Sequence, residues 1–188
     1  MLPDWSGKTV VCIASGPSLT PEDCEAVRLS GHPTIVTNTT FRQCVWANAL
    51  FGFDPDWWQM HIEEVRAVFR GLLFGKSPRV RNLGVDWAEQ YPQFRSFGTS
   101  GGCAISLAIA TGSKNIVMLG YDNQMTGGRT HHHGDHPEGL NNCVSMPTWA
   151  AQFGRLAIWA RHNKARVVNA SRVTKLECFD RMPLEQCL

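Results

Sequence analysis

Charge imbalance, tyrosine and long apolar runs are all scarce in this chain. Eighteen Lys and Arg stand against 16 Asp and Glu, a formal net charge of +2. That balance lacks the basic footprint of a nucleic-acid binder or a membrane-surface protein. No apolar run approaches the roughly 20 residues that a membrane-spanning helix needs. No C-x-x-C pair occurs, which excludes a zinc ribbon and a thioredoxin-like motif. The seven cysteines are an odd number, and several sit in apolar periodic stretches. There they read as small core residues in a reducing compartment. The opening MLPDWSGK has no leader-like order of charge and apolar run. The expected location is therefore the cytoplasm. Repeats, low-complexity tracts and linkers are absent too.

What is present is an alternation of strand-length apolar runs with helical patterns. The 188 residues suit one domain. The spacing predicts strands at Lys8–Ala14, Pro33–Thr37, Asn48–Phe53, Asn115–Leu119 and Ala165–Val168. Helices are expected from Pro21, capped by Thr20, and over Pro55–Phe69, Gly101–Thr111 and Thr148–His162. Residues Gly71–Phe97 read as two short strands around a turn and a helical piece. The adjacent Trp57 and Trp58 are expected on opposite faces of their helix, with at most one deeply buried. The other would serve as an interface for a homo-oligomer or as an acceptor platform. Unbroken apolar strands argue for an α/β, Rossmann-like single domain over 1–188, a mainly parallel sheet with helices on both faces. Its ligand edge would lie beyond the strand C-termini. A loop over 120–147, rich in Gly, His and Asn, falls at that edge and is expected to belong to an active site.

Four constellations could carry chemistry. Ser15-Gly16-Pro17-Ser18-Leu19 follows the first strand. Gly16 permits close backbone approach, the serines supply hydroxyls, and the helix behind would offer free N–H groups to an anion. G-x-G-x-x-G is missing, so this is no dinucleotide fingerprint, and an ordinary strand-to-helix turn explains it equally. Thr99-Ser100-Gly101-Gly102 opens a helix and could hold a phosphate, or Thr99 or Ser100 could be a plain N-cap. The segment THHHGDHPEG, 130–139, holds four histidines and two acids. His131, His133, Asp135 and His136 spell the metal motif of the metallo-β-lactamase fold, but downstream only His162 remains to complete such a site. A local metal site or a general acid–base role stays open for them. A polar loop with a fortuitous His run stays open as well. Gly71–Ser77 imitates a P-loop with one residue too few between its glycines and a proline where the helix should begin.

Taken together, these signals resemble a known layout. The GPSL turn, the strand end at Asn38, the block TSGGCAISLAIATGSKNIVMLGYD (99–122) and VVNAS (167–171) are similar to glycosyltransferase family 42, the bacterial sialyltransferases. The resemblance implies that Gly16–Leu19, Asn38 and Thr99–Gly101 surround the nucleotide of a nucleotide-sugar. Gly120-Tyr121-Asp122 followed by Thr130-His131 also resembles the domain-of-unknown-function 115 group, which includes 6-hydroxymethylpterin diphosphokinases. The THxHGDHP segment is similar to small uncharacterised proteins of tailed phages and prophages, for which the host cytoplasm is the expected location.

The leading expectation is a nucleotide-sugar-dependent glycosyltransferase-like protein acting on an acceptor hydroxyl that the sequence does not identify. Ser15, Gly16, Pro17, Ser18, Asn38, Thr99, Ser100 and Gly101 would bind the nucleotide, and Asp122 would position ribose, phosphate or a metal. One of His131, His133 or His136, with Asp135 beside them, would deprotonate the acceptor. This reaction requires no cofactor, although those same four residues could take a divalent metal. The alternatives are ATP-dependent diphosphate transfer with magnesium, a non-catalytic phage protein that senses or sequesters a nucleotide, and an interaction protein with a vestigial pocket.

Overall fold

The computed structural model describes residues 2–125 and 146–188, with 146 and 147 by their backbone alone. Eight strands form one sheet: β1 Thr9–Ile13, β2 Thr34–Thr37, β3 Ala49–Gly52, β4 Leu72–Gly75, β5 Asp86–Trp87, β6 Asn115–Leu119, β7 Arg166–Asn169 and β8 Asp180–Arg181. Four α-helices join them: α1 Pro21–Ser30, α2 Pro55–Val68, α3 Ser100–Ala110 and α4 Met146–His162. The sheet order is β5-β4-β3-β2-β1-β6-β7-β8, and every neighbouring pair is parallel. The architecture is the expected Rossmann-like α/β arrangement. The strand β8 in the C-terminal tail had no signal in the sequence, because two residues carry no period.

Strand alternation divides the apolar residues between two cores. Val10, Cys12, Ile116 and Met118 face one side, with Ile105 and Leu107 of α3 and Leu156 and Ala160 of α4. Val11, Ile13, Val117 and Leu119 face the other, with Val27 of α1 and Trp58, Ile62 and Val65 of α2. The helices therefore cover both faces, as the unbroken apolar strands require. The helix α3 is buried from Gly102 to Ile109 and packs under β1, β2, β3 and β6. An all-round apolar sequence suits such a central helix.

Local chemistry sets the ends. Thr20 and Asp23 form a reciprocal capping box on α1 with Pro21 in the first turn, and Gly31 closes the helix in the left-handed region at φ 69°. Asp54 caps α2, also with a proline in the first turn. The helix α3 starts at Ser100 because Thr99 accepts from the Gly102 N–H at 2.9 Å.

One expectation about α2 is corrected. Trp57 and Trp58 are both buried, at 3% and 0% exposure. Successive helical residues differ by about 100° in direction, not by half a turn, so a wide apolar face accommodates both. Trp57 lies edge-on to Trp58 and to Phe41 and stacks on His61 at 4.6 Å. Trp58 donates its indole N–H to the Gly52 carbonyl at 3.1 Å. Neither indole is a platform for a partner or an acceptor. Trp58→Ala should destabilise the fold by about 3–5 kcal/mol, read as a lower midpoint in urea denaturation.

Candidate functional site

The chain builds outward from β1 to β5 and then returns to add β6 beside β1. Connections leaving β1 and β6 thus diverge to opposite faces of the sheet and open a crevice at their C-terminal ends. A cavity of about 400 Å³ occupies it. Its walls are the segments after β1 (14–17), β2 (37–38), β3 (53–54) and β6 (120–124), the start of α3 (98–101), the first turns of α4, and Leu176. Ser15, Gly16, Pro17, Asn38, Thr99, Ser100, Gly101 and Asp122 all line it. Three segments far apart in sequence converge there, as the motifs suggested.

Within that group the roles differ from the expected ones. Asp122 is 1% exposed, and its carboxylate accepts from the Ser18 N–H at 2.8 Å and from the Ser18 hydroxyl at 2.7 Å. Ser18 does not line the cavity, and both of its protons point at Asp122 rather than at a ligand. Gly16 is small for a similar reason. A Cβ there would collide with the Gly120 carbonyl oxygen and the Asp122 carboxylate. The close approach that glycine permits at this turn is to the chain's own β6 loop.

The N-terminus of α1 is not an open anion site. Pro21 has no N–H, Thr20 accepts from the Asp23 N–H, and the Asp23 carboxylate stands at that end. Arg172 neutralises it with two hydrogen bonds, at 2.8 and 2.9 Å. The open terminus belongs to α3. There the N–H groups of Ser100 and Gly101 have no acceptor among the described residues, and both residues line the cavity.

Ser100 also fixes the neighbouring loops. Its hydroxyl accepts from the Phe53 N–H at 3.0 Å and donates to Asn38 Oδ1 at 3.0 Å. That joins the ends of β2 and β3 to α3. Asn38 sits at φ 47°, a left-handed conformation that Asn tolerates better than most residues. Its amide N–H₂ group has no acceptor among the described residues. Thr99 is the plain cap, leaving only its hydroxyl proton for a ligand.

Several residues that shape this rim carry no signal in the sequence pattern. Tyr121 is buried and donates to the Gly101 carbonyl at 3.1 Å, and its ring leaves no room for a Cβ at Gly101. Ser171, at the end of VVNAS, accepts from the Tyr121 N–H at 2.7 Å, and Thr174 donates to the Tyr121 carbonyl at 2.7 Å. Gln152 of α4 and Asn123 border the cavity with buried side-chain oxygens that lack a partner among the described residues. Nothing in the pattern of α4 distinguishes Gln152. Burial drives the Tyr121 phenol well above its ordinary pKa, and burial with the Asp86 carboxylate pushes Tyr91 up to about 12.

His131, His133, Asp135 and His136 lie outside the described residues, although Gln124 before them and Thr148 after them line the cavity. Among the described residues, no three His, Cys, Asp or Glu side chains gather to hold a metal. No helix there is long and apolar enough to cross a membrane. No protein-family model matches the chain, and no curated protein matches it.

Two outcomes follow from this geometry. Asp122→Asn places an amide N–H₂ against a Ser18 donor, so stability should fall by about 1–3 kcal/mol in urea denaturation, with Ser18→Ala costing less. Tyr91 and Tyr121 are the only tyrosines. Tyrosinate absorbance should therefore stay flat through pH 10–11 in the folded protein and rise near pH 10 in denaturant. Because both phenols titrate later when folded, stability should fall as pH climbs above 10.

Proposed function

We propose that the cavity holds a nucleotide and that the chain is a nucleotide-sugar-dependent transferase. The observation that carries this reading is the pair of N–H groups at Ser100 and Gly101, unpartnered among the described residues, beside the Asn38 amide in a cavity of about 400 Å³. Small-molecule sites commonly span about 300–1,000 Å³. A phosphate oxygen would accept from the α3 terminus, where the dipole adds about 0.3–1 kcal/mol to the direct hydrogen bonds. Phe53, Trp149 and Phe153 supply apolar wall for a base.

Charge favours a nucleotide-sugar over ATP. No Lys, Arg or His is among the described residues lining the cavity. A nucleotide-sugar carries one negative charge on a phosphodiester, or two on a diphosphate diester, which neutral N–H donors at a helix terminus can hold. A triphosphate would need cations to offset its charge. In the transfer, the acceptor oxygen attacks the anomeric carbon and its proton passes to a base. The bond from that carbon to the nucleotide's phosphate oxygen breaks, and the electron pair leaves with the nucleotide. The candidates for the base remain His131, His133 and His136, with Asp135 near them in sequence. A divalent metal on these residues is not required by the reaction.

Thermal shift with CMP, UDP, GDP and ADP, with and without magnesium, tests the reading. One nucleotide should raise the melting temperature without metal, by an amount equivalent to about 2.7 kcal/mol at a hundredfold excess over Kd. Asn38→Asp keeps the acceptor for Ser100 and tolerates the left-handed backbone, but sets a carboxylate beside the phosphate. It should weaken that nucleotide at least tenfold and leave the unliganded melting temperature within a degree or two. Stabilisation by ATP with magnesium alone would point to diphosphate transfer instead. Tight binding with no turnover of any nucleotide-sugar would leave a sensing or sequestering module.

A further inference from the structure

A second cavity, of about 550 Å³, adjoins the first and shares Gly98 and Gln152 with it. One wall is a stripe of α4 at helical spacing: Gln152, Arg155, Trp159 and His162. The opposite face of α4 carries Phe153, Leu156, Ala157 and Ala160 into the core. The other wall is the segment Arg95–Gly98 that leads into α3.

The permanently charged side chains in this groove, Arg95 and Arg155, are of one sign. Arg95, Arg155 and His162 line it, and no Asp or Glu does. Neither arginine makes a salt bridge among the described residues, in contrast to Arg28, Arg42 and Arg172, each paired with a carboxylate within 2.8 Å. A helix C-terminus favours cations such as Arg161 in the last turn of α4. It does not account for Arg155 in mid-helix or for Arg95 on the facing segment. The groove also has an apolar side. Ile158 is 53% exposed there, and Trp159 is half-buried with its ring against Phe97 at 5.3 Å.

We propose that this groove is the second-substrate subsite and takes a small anion, a carboxylate or phosphate carried on an apolar or ring-shaped body. The arginines would hold the anion, and Trp159 with Ile158 would cover the body. The shared Gln152 rim would bring an acceptor hydroxyl toward the donor. The assignment rests on the reading of the first cavity as the donor site. It explains a division of labour: neutral N–H donors on one side of Gln152, guanidinium groups on the other.

The test uses p-nitrophenyl phosphate and the neutral p-nitrophenyl β-glucoside on the whole chain, with binding read by calorimetry and by quenching of tryptophan fluorescence. The phosphate should bind saturably and the glucoside at least tenfold more weakly. The exposed pair change Arg95→Gln/Arg155→Gln should weaken the phosphate probe tenfold or more without shifting the melting temperature. Trp159→Phe should reduce the quench at saturation. Nucleotide binding, measured separately by thermal shift, should survive the arginine changes. Equal affinity of the double variant and the parent for the phosphate probe would overturn the proposal. So would loss of that probe in Asn38→Asp alone, which would put it in the first cavity. If the probe binds through the arginines while no nucleotide binds, the groove stands and the donor reading fails.

Discussion

One carboxylate supplies the side-chain tie across the rim of this molecule. Asp122 takes both protons of Ser18, a residue 104 positions earlier, and so ties the loop after β6 to the loop after β1. The sheet topology sends these two loops to opposite faces, which opens the crevice. Without a tie across it, the crevice would have walls but no fixed width. Asp122 is buried and Ser18 partly so, and hydrogen bonds to a charged group contribute about 1.5–3 kcal/mol each. Gly16 and Gly120 let the two backbones meet, with the Gly16 N–H donating to the Gly120 carbonyl at 2.8 Å.

On this frame the remaining donors fall into place. Ser100 links β2, β3 and α3 through one hydroxyl, which leaves its own N–H and that of Gly101 unclaimed by the described chain. The helix that does end in a full cap, α1, is directed at Arg172 instead. Two of the helix N-termini at the ligand edge, those of α1 and α3, therefore have opposite character. One is closed by its own carboxylate, and one is left open beside a cavity.

Much of the fold was legible in the residues, for reasons that can be named. The run Val10-Val11-Cys12-Ile13 is apolar on both faces, as only a central parallel strand needs to be. Thr20-Pro21 and Thr99-Ser100 mark helix starts through their capping chemistry. The convergence of the GPSL, Asn38 and TSG segments was legible too, because each follows a strand or opens a helix at one edge. The division of roles was not. Sequence shows that Ser18 and Asp122 carry polar groups near a ligand edge, but not that they satisfy each other across 104 residues. Trp57 escaped for a different reason: its burial depends on Phe41, which comes from another segment. Gln152 and the arginine groove escaped because a polar stripe on α4 looks the same whether it faces water or a facing loop.

The placement of β1 has a consequence for synthesis. It is made before the other seven described strands, yet it lies mid-sheet, with β2 on one edge and β6 on the other. The first neighbour follows within a few dozen residues. The second stands about a hundred residues beyond β1, a separation that slows closure. Until then the nascent chain presents one edge of an apolar parallel strand to its surroundings, a point of exposure that chaperones or misassembly could reach before the fold is complete.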